Sequence, residues 1–183
     1  MKAPKDMQIY HESVLKGTEI VLKKEPWVNE KYKKNYLDFL DGILSLNSDV
    51  LEFGSGGSTF YIAERVKRIT TFEYDEVWYK IMQEEIAKKG MSNIVIHFDP
   101  DYPENFHCTK PCFDVVINDV WNDPFRKKLI ETGMNCLRPN GCLIYHNNES
   151  IDKLMEEGWV LLKNWGKPSR LATQFWKTAW KKP

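Results

Sequence analysis

Residues 50–60 read VLEFGSGGSTF. A short apolar run, Val50–Phe53, carries one acid, Glu52, and passes straight into a turn holding Gly54, Gly56 and Gly57. An apolar run of this length bounded by glycine reads as a buried strand of a parallel sheet. Glycine lets the backbone come close to a ligand, because no Cβ stands in the way. The acid inside an otherwise apolar strand therefore asks what it faces.

Working outward, short apolar runs alternate with helical periods. Ser58–Val66 has Phe60, Ile62, Ala63 and Val66 at helical spacing, and Arg68–Phe72 is the next strand. Asp75 can cap a helix carrying Val77, Trp78, Ile81, Met82 and Ile86, and Gly90 can stop it. NIVIHF (93–98) and FDVVIND (113–119) are strands, with a proline-rich loop between them. Pro124 can open a helix whose apolar face is Phe125, Leu129, Ile130, Met134 and Leu137. RPNG (138–141) is a turn and CLIYH (142–146) a fifth strand. Strands separated by crossover helices predict a doubly wound, mostly parallel α/β sheet with helices on both faces. WVLLKNW (159–165) and TQFWKTAW (173–180) are joined by a segment too short for a crossover helix, so they should pair antiparallel. The fold class expected is a seven-stranded α/β sheet closed by a C-terminal antiparallel hairpin. Residues 29–183 would form this domain. Residues 1–28 would be an N-terminal extension or lid, and 29–46 hold a helix that covers the sheet.

At 183 residues the chain can bury one domain core. Lys plus Arg and Asp plus Glu number 26 each, so no basic excess marks a nucleic-acid binder. The N-terminus has no apolar run of signal-peptide length, and no stretch approaches a membrane span. Cys108, Cys112, Cys136 and Cys142 form no C-x-x-C pair. With no export signal they are read as reduced, and the chain as cytoplasmic. His107 with Cys108 and Cys112 is not read as a metal site.

Glu73 ends the second strand 21 residues after Glu52, close to the spacing of about 20 at which an acid takes ribose hydroxyls. A nucleoside-containing cofactor follows. The dinucleotide pattern G-x-G-x-x-G needs glycine at position 59, where this chain has Thr59. A carboxylate at Glu52 would repel a pyrophosphate and suit a cation. S-adenosylmethionine carries a sulfonium and an ammonium and no phosphate.

These residues resemble the first motif of the class I S-adenosylmethionine-dependent methyltransferases, acid-x-Gly-x-Gly-x-Gly. Here it runs Glu52, Gly54, Gly56, with Ser58 at the third glycine place. The resemblance extends from about residue 26 to the end and includes the closing hairpin. EFGSGGST followed by FEYDEVWY is similar to one bacterial and viral branch in which an acid and a tryptophan recur at these places; PWVNEKY (26–32) resembles the segment before its fold. The resemblance implies that Glu52 and the loop Gly54, Ser55, Gly56 hold the methionine part, and that Glu73 holds the ribose. It places Asp99 at the adenine amino group, with Phe98 or Tyr74 on the ring and Asp101 as a rival to Asp99. Asp99 also reads as a turn residue before Pro100, and Glu73 as a helix cap.

Methyl transfer needs alignment more than covalent help. Candidates beyond strands four and five are Asp119, which would also border the cofactor, and His146 as bases, with Trp121, Asn122 and Asn147 at the acceptor. FDVVINDVWNDPF resembles the catechol O-methyltransferase type, whose metal ligands would map to Asp119, His146 and Asn147. Histidine in place of a carboxylate disfavours magnesium, and Asn122 replaces that family's basic lysine, so no metal is expected. The D/N-P-P-Y/F signature of base methylation is absent; NDPF (122–125) lies past the strand end. The expected reaction is methyl transfer to oxygen or nitrogen of a small molecule or sugar. The partners are that acceptor and, as an open option, further copies of the chain; membrane and nucleic acid are not expected. A cofactor-binding protein without turnover and a nucleotide-dependent oxidoreductase remain the alternatives.

Overall fold

The computed structural model describes residues 30–101, 106–120, 123–146, 157–164 and 177–183. The elements are α1 (Glu30–Ile43), β1 (Asp49–Phe53), α2 (Gly57–Ala63), β2 (Arg68–Glu73), α3 (Glu76–Lys89), β3 (Ile94–Phe98), β4 (Phe113–Asn118), α4 (Asp123–Cys136), β5 (Leu137–His146), β6 (Val160–Asn164) and β7 (Lys177–Lys181). One seven-stranded sheet runs in the order β3-β2-β1-β4-β5-β7-β6. β1 to β5 are parallel, and β7 lies antiparallel between β5 and β6. The expected doubly wound sheet with its closing hairpin is therefore present.

Alternation along each strand sorts the core into two layers. Val50, Ile69, Val115, Ile117 and Ile144 pack against Tyr36 and Leu40 of α1, Phe60 and Ile62 of α2, and Trp78 and Met82 of α3. Leu51, Phe53, Phe72, Val116, Leu143 and Trp180 pack on the other face against Leu129 and Ile130 of α4. β1 is buried along its whole length, as the middle of a two-sided sheet requires. Glu52 shares the parity of Val50, so it is turned toward α2.

The helix ends follow local chemistry. Asp75 accepts hydrogen bonds from Val77 N and Trp78 N, both at 2.9 Å, and Gly90 terminates α3 at φ 64°. α2 stops at Ala63, short of the expected Val66, because Arg65 N turns back to Ile62 O at 2.9 Å and tightens the last turn. Asn93 then covers the Ala63 and Val66 carbonyls at 2.7 and 3.1 Å. RPNG loops out within β5, where the ladder steps from Phe113–Leu137 to Val115–Cys142, with Asn140 at φ 65°.

One expectation is overturned. Cys108 and Cys136 form a disulfide, Cα atoms 5.3 Å apart, while Cys112 and Cys142 are free. The pair is separated by 28 residues and becomes adjacent only because the β3–β4 connection returns beside the end of α4. There Cys112 N donates to Cys136 O at 2.9 Å. The bond contradicts the expectation that all four cysteines are reduced. Residues 1–28 and Trp165 and Trp176 lie outside the described residues, while Trp180 is fully buried. Among the described residues no helix is long and apolar enough to cross a membrane.

Candidate functional site

Three loops leave the sheet at one level. Gly54 N donates to Phe72 O, Asp119 N to Phe53 O, and Asp99 N to Glu73 O, at 2.9, 2.9 and 3.0 Å. Each residue that follows its strand thus extends the ladder by one rung. This aligns the glycine turn, Glu73, Asp99 and Asp119 along the carboxyl edge of β1, β2, β3 and β4, the edge where open α/β sheets bind ligands.

Gly54 sits at φ 90°, and a Cβ there would lie 3.1 Å from the Asp119 carbonyl oxygen. Its lack of a side chain is required by the fold, since the β1 and β4 loops touch at this point. Gly56 differs. A Cβ there would meet nothing within 4 Å, so the loop presents open backbone on that side.

Glu52 is fully buried. Ser58 Oγ donates to its Oε1 at 3.0 Å and Thr59 Oγ1 to its Oε2 at 2.6 Å. Thr59 Oγ1 also accepts Gly56 N at 2.9 Å, so its proton is committed to the carboxylate. Burial pushes the Glu52 carboxyl up to about 7, the two hydroxyls oppose the rise, and the nearby Asp119 charge adds to it. Among the described residues no lysine or arginine ion-pairs with Glu52 or Glu73.

Glu73 is also buried. Its Oε2 accepts Ser55 N and Ser55 Oγ at 3.1 and 3.0 Å, and its Oε1 accepts Tyr74 N and Asp75 N, both at 3.0 Å. Burial raises its carboxyl above the ordinary value against these donors. Trp78 Nε1 donates to Ser55 O at 2.7 Å. The β2–α3 turn therefore grips the glycine loop through Glu73 on one side of Ser55 and Trp78 on the other.

Other expected residues divide. Phe98 is 38% exposed beside Tyr79, with ring centroids 5.5 Å apart, so its ring is open to a ligand. Tyr74 packs into the layer on the α4 face. Asp99 Oδ1 accepts Asp101 N at 3.1 Å, which is the turn role considered for it, and Asp101 is exposed. Asp119 is half-buried at the end of β4. His146 ends β5 in register with Lys177. Trp121, Asn122 and Asn147 lie outside the described residues.

Sequence reasoning missed the roles of Ser58, Thr59 and Trp78. Two hydroxyl residues six and seven positions after a buried acid were the available signal for the first two. For Trp78 the signal was a large N–H-bearing ring in the first turn of a helix facing the glycine loop.

No family model matches the chain, and no curated protein sequence matches it. Solved structures do. A candidate methyltransferase of Streptococcus mutans in complex with SAH superposes with a TM-score of 0.67 at 15% identity, over 85% of this chain and 100% of that one. An SAM-dependent O-methyltransferase of Thermotoga maritima gives 0.66 at 19% identity, over 88% of this chain and 68% of the other. The N-methyltransferase NodS of Bradyrhizobium japonicum with S-adenosyl-L-homocysteine gives 0.61 at 14%, over 87% and 93%. The chain has the Rossmann-like fold of the class I S-adenosylmethionine-dependent methyltransferases.

Proposed function

We propose that the chain is an S-adenosylmethionine-dependent methyltransferase of the EFGSGGST branch, acting on an oxygen or nitrogen of a small molecule or sugar. The observation that carries this reading is Glu52: a buried carboxylate, held by hydroxyls, with no cationic side chain among the described residues to balance it. Burying an unpaired carboxylate is costly, so such a group is retained where a ligand cation completes it. The open backbone at Gly56 and the exposed ring of Phe98, along the edge that carries Glu73, fit a ligand with a cationic end and a nucleoside end.

S-adenosylmethionine supplies a methyl group already activated on a sulfonium. Glu52 and the Gly54–Gly56 loop would hold its methionine part, Glu73 a ribose hydroxyl, and Phe98 with Asp99 the adenine. Asp119, beside Glu52 at the start of the β4 loop, would orient the acceptor or take its proton, with His146 as the second base at the end of β5. Trp121, Asn122 and Asn147 belong by sequence position to the acceptor side. A base is required only where the acceptor is protonated before transfer.

Calorimetric titration with S-adenosylhomocysteine tests the cofactor reading, and the expected result is saturable binding in the micromolar range. No heat at high micromolar ligand would refute it. Labelled S-adenosylmethionine offered with phenols, amines, sugars and bulk RNA then identifies the acceptor. Label in RNA alone would replace the small-molecule reading, and no turnover on any acceptor would favour a binding protein.

A further inference from the structure

Glu73 carries a contradiction when it is read as the ribose ligand. A carboxylate offers about four lone-pair sites. All four are taken, by Ser55 N, Ser55 Oγ, Tyr74 N and Asp75 N. The residue is only 3% exposed, and Ser55, at 9%, lies over it. A ribose hydroxyl therefore finds no free acceptor unless one donor withdraws.

The four donors are not equally mobile. Three are backbone amides fixed by their neighbours. Tyr74 and Asp75 lie at the mouth of α3, where Asp75 is held as the cap. The Ser55 backbone is pinned through its carbonyl by Trp78 Nε1 at 2.7 Å. The Ser55 hydroxyl alone can leave by rotation about one side-chain bond, which requires no movement of the loop.

We propose that Ser55 is a built-in substitute for a ribose hydroxyl, which occupies Glu73 in the free protein and rotates away when the nucleoside arrives. This rests on the cofactor reading above and adds a role for Ser55 that the motif does not specify. The device keeps a buried carboxylate hydrogen-bonded in the absence of ligand, where an unmet acceptor would destabilise the fold. Its consequence is that ligand binding exchanges one hydrogen bond for another, so Ser55 lowers affinity for any ligand with ribose hydroxyls.

The test is calorimetric titration of the full chain and of S55A with S-adenosylhomocysteine and with its 2′,3′-dideoxy analogue. S55A should bind S-adenosylhomocysteine roughly three- to tenfold more tightly than the unaltered chain, the size of one hydrogen bond to a charged group partly recovered. The gain should be absent for the dideoxy analogue, which cannot use the vacated lone pair. S55T keeps the hydroxyl and should show no selective gain for S-adenosylhomocysteine over the dideoxy analogue, which controls for a change in the loop. Equal or weaker binding by S55A overturns the proposal, as does an equal gain for both ligands, which would mean a loosened loop. Binding by both proteins at one affinity removes the substitute and leaves the cofactor reading standing; binding by neither removes both. Should S55A fail to fold, S55C tests the same point, with a weaker donor and a smaller gain expected in the same direction.

Discussion

The two ends of the central strands treat buried acids in opposite ways. At the amino end, Asp49 is nearly buried and sits among cations: Arg138 Nη2 and Arg68 Nη2 at 3.4 Å and Lys67 Nζ at 3.8 Å. Arg138 also donates to Asp114 at 2.7 Å, and Asp114 in turn accepts Asp49 N at 2.8 Å. At the carboxyl end, the donors to Glu52 and Glu73 among the described residues are hydroxyls and amides. The first end sets its acids among cations and ties β1, β4 and β5 together. At the second, burial raises both carboxyls above their ordinary range, Glu52 to about 7. Among the described residues, the acids at one end are matched by protein cations and those at the other are not.

Substitutions at the two ends should have opposite effects. The largest effect is expected at Gly54→Ala, which places a side chain at φ 90° and against the Asp119 backbone. It should cost roughly 3 kcal/mol or more of stability in denaturant unfolding. Glu52→Gln should do the reverse. The Glu52 carboxyl is raised from 4.5 to about 7, so its contribution to stability is complete below about pH 4.5 and declines as pH rises through 7. At pH 8 the folded chain therefore carries a charge it resists, and Glu52→Gln should gain up to about 3 kcal/mol there and almost nothing at pH 4, read from melting curves at both pH values. The same variant should bind S-adenosylmethionine at least tenfold more weakly, by an estimate of roughly 1.4 kcal/mol for the lost charge pair. Asp49→Asn, at the other end, should instead lose about 1 kcal/mol and leave cofactor affinity unchanged. A stabilising Asp49→Asn or a destabilising Glu52→Gln would erase the distinction between the ends.

Affinity for S-adenosylmethionine should rise between pH 6 and pH 8 as Glu52 ionises, with proton release visible as a buffer-dependent heat; the rise should be smaller for S-adenosylhomocysteine, which lacks the sulfonium. A flat profile would remove Glu52 as the counter-charge. The smallest effect on folding is expected for Gly56→Ala, within about 0.5 kcal/mol, since open space and extended backbone receive the methyl. It should nonetheless weaken S-adenosylhomocysteine binding, where an unchanged affinity would place the ligand elsewhere.

Much of the fold is local enough to be legible. The capping Asp75 and stopping Gly90 bound α3, and the apolar run at Val50–Phe53 announces a buried strand, because each depends on neighbours within one turn or one pleat. The closing hairpin follows from a connection too short to cross the sheet. The positions of Glu52 and Glu73 at two strand ends are equally visible. Their partners are not. Thr59 and Ser58 reach Glu52 because α2 folds back over β1, and Trp78 reaches Ser55 across 23 residues of chain. The Cys108–Cys136 bond was misread for the same reason.

The linear chain by itself determined the order of strands and helices, the placement of acids at two strand ends, and the glycine turn beside them, since periodicity and turn chemistry act over a few residues. Only the tertiary structure decided which acids are matched by cations and which by hydroxyls, and that Glu73 is already filled by Ser55. Those are distances between segments that the parallel crossovers bring together, and electrostatics in a buried site depends on distance through space rather than along the chain.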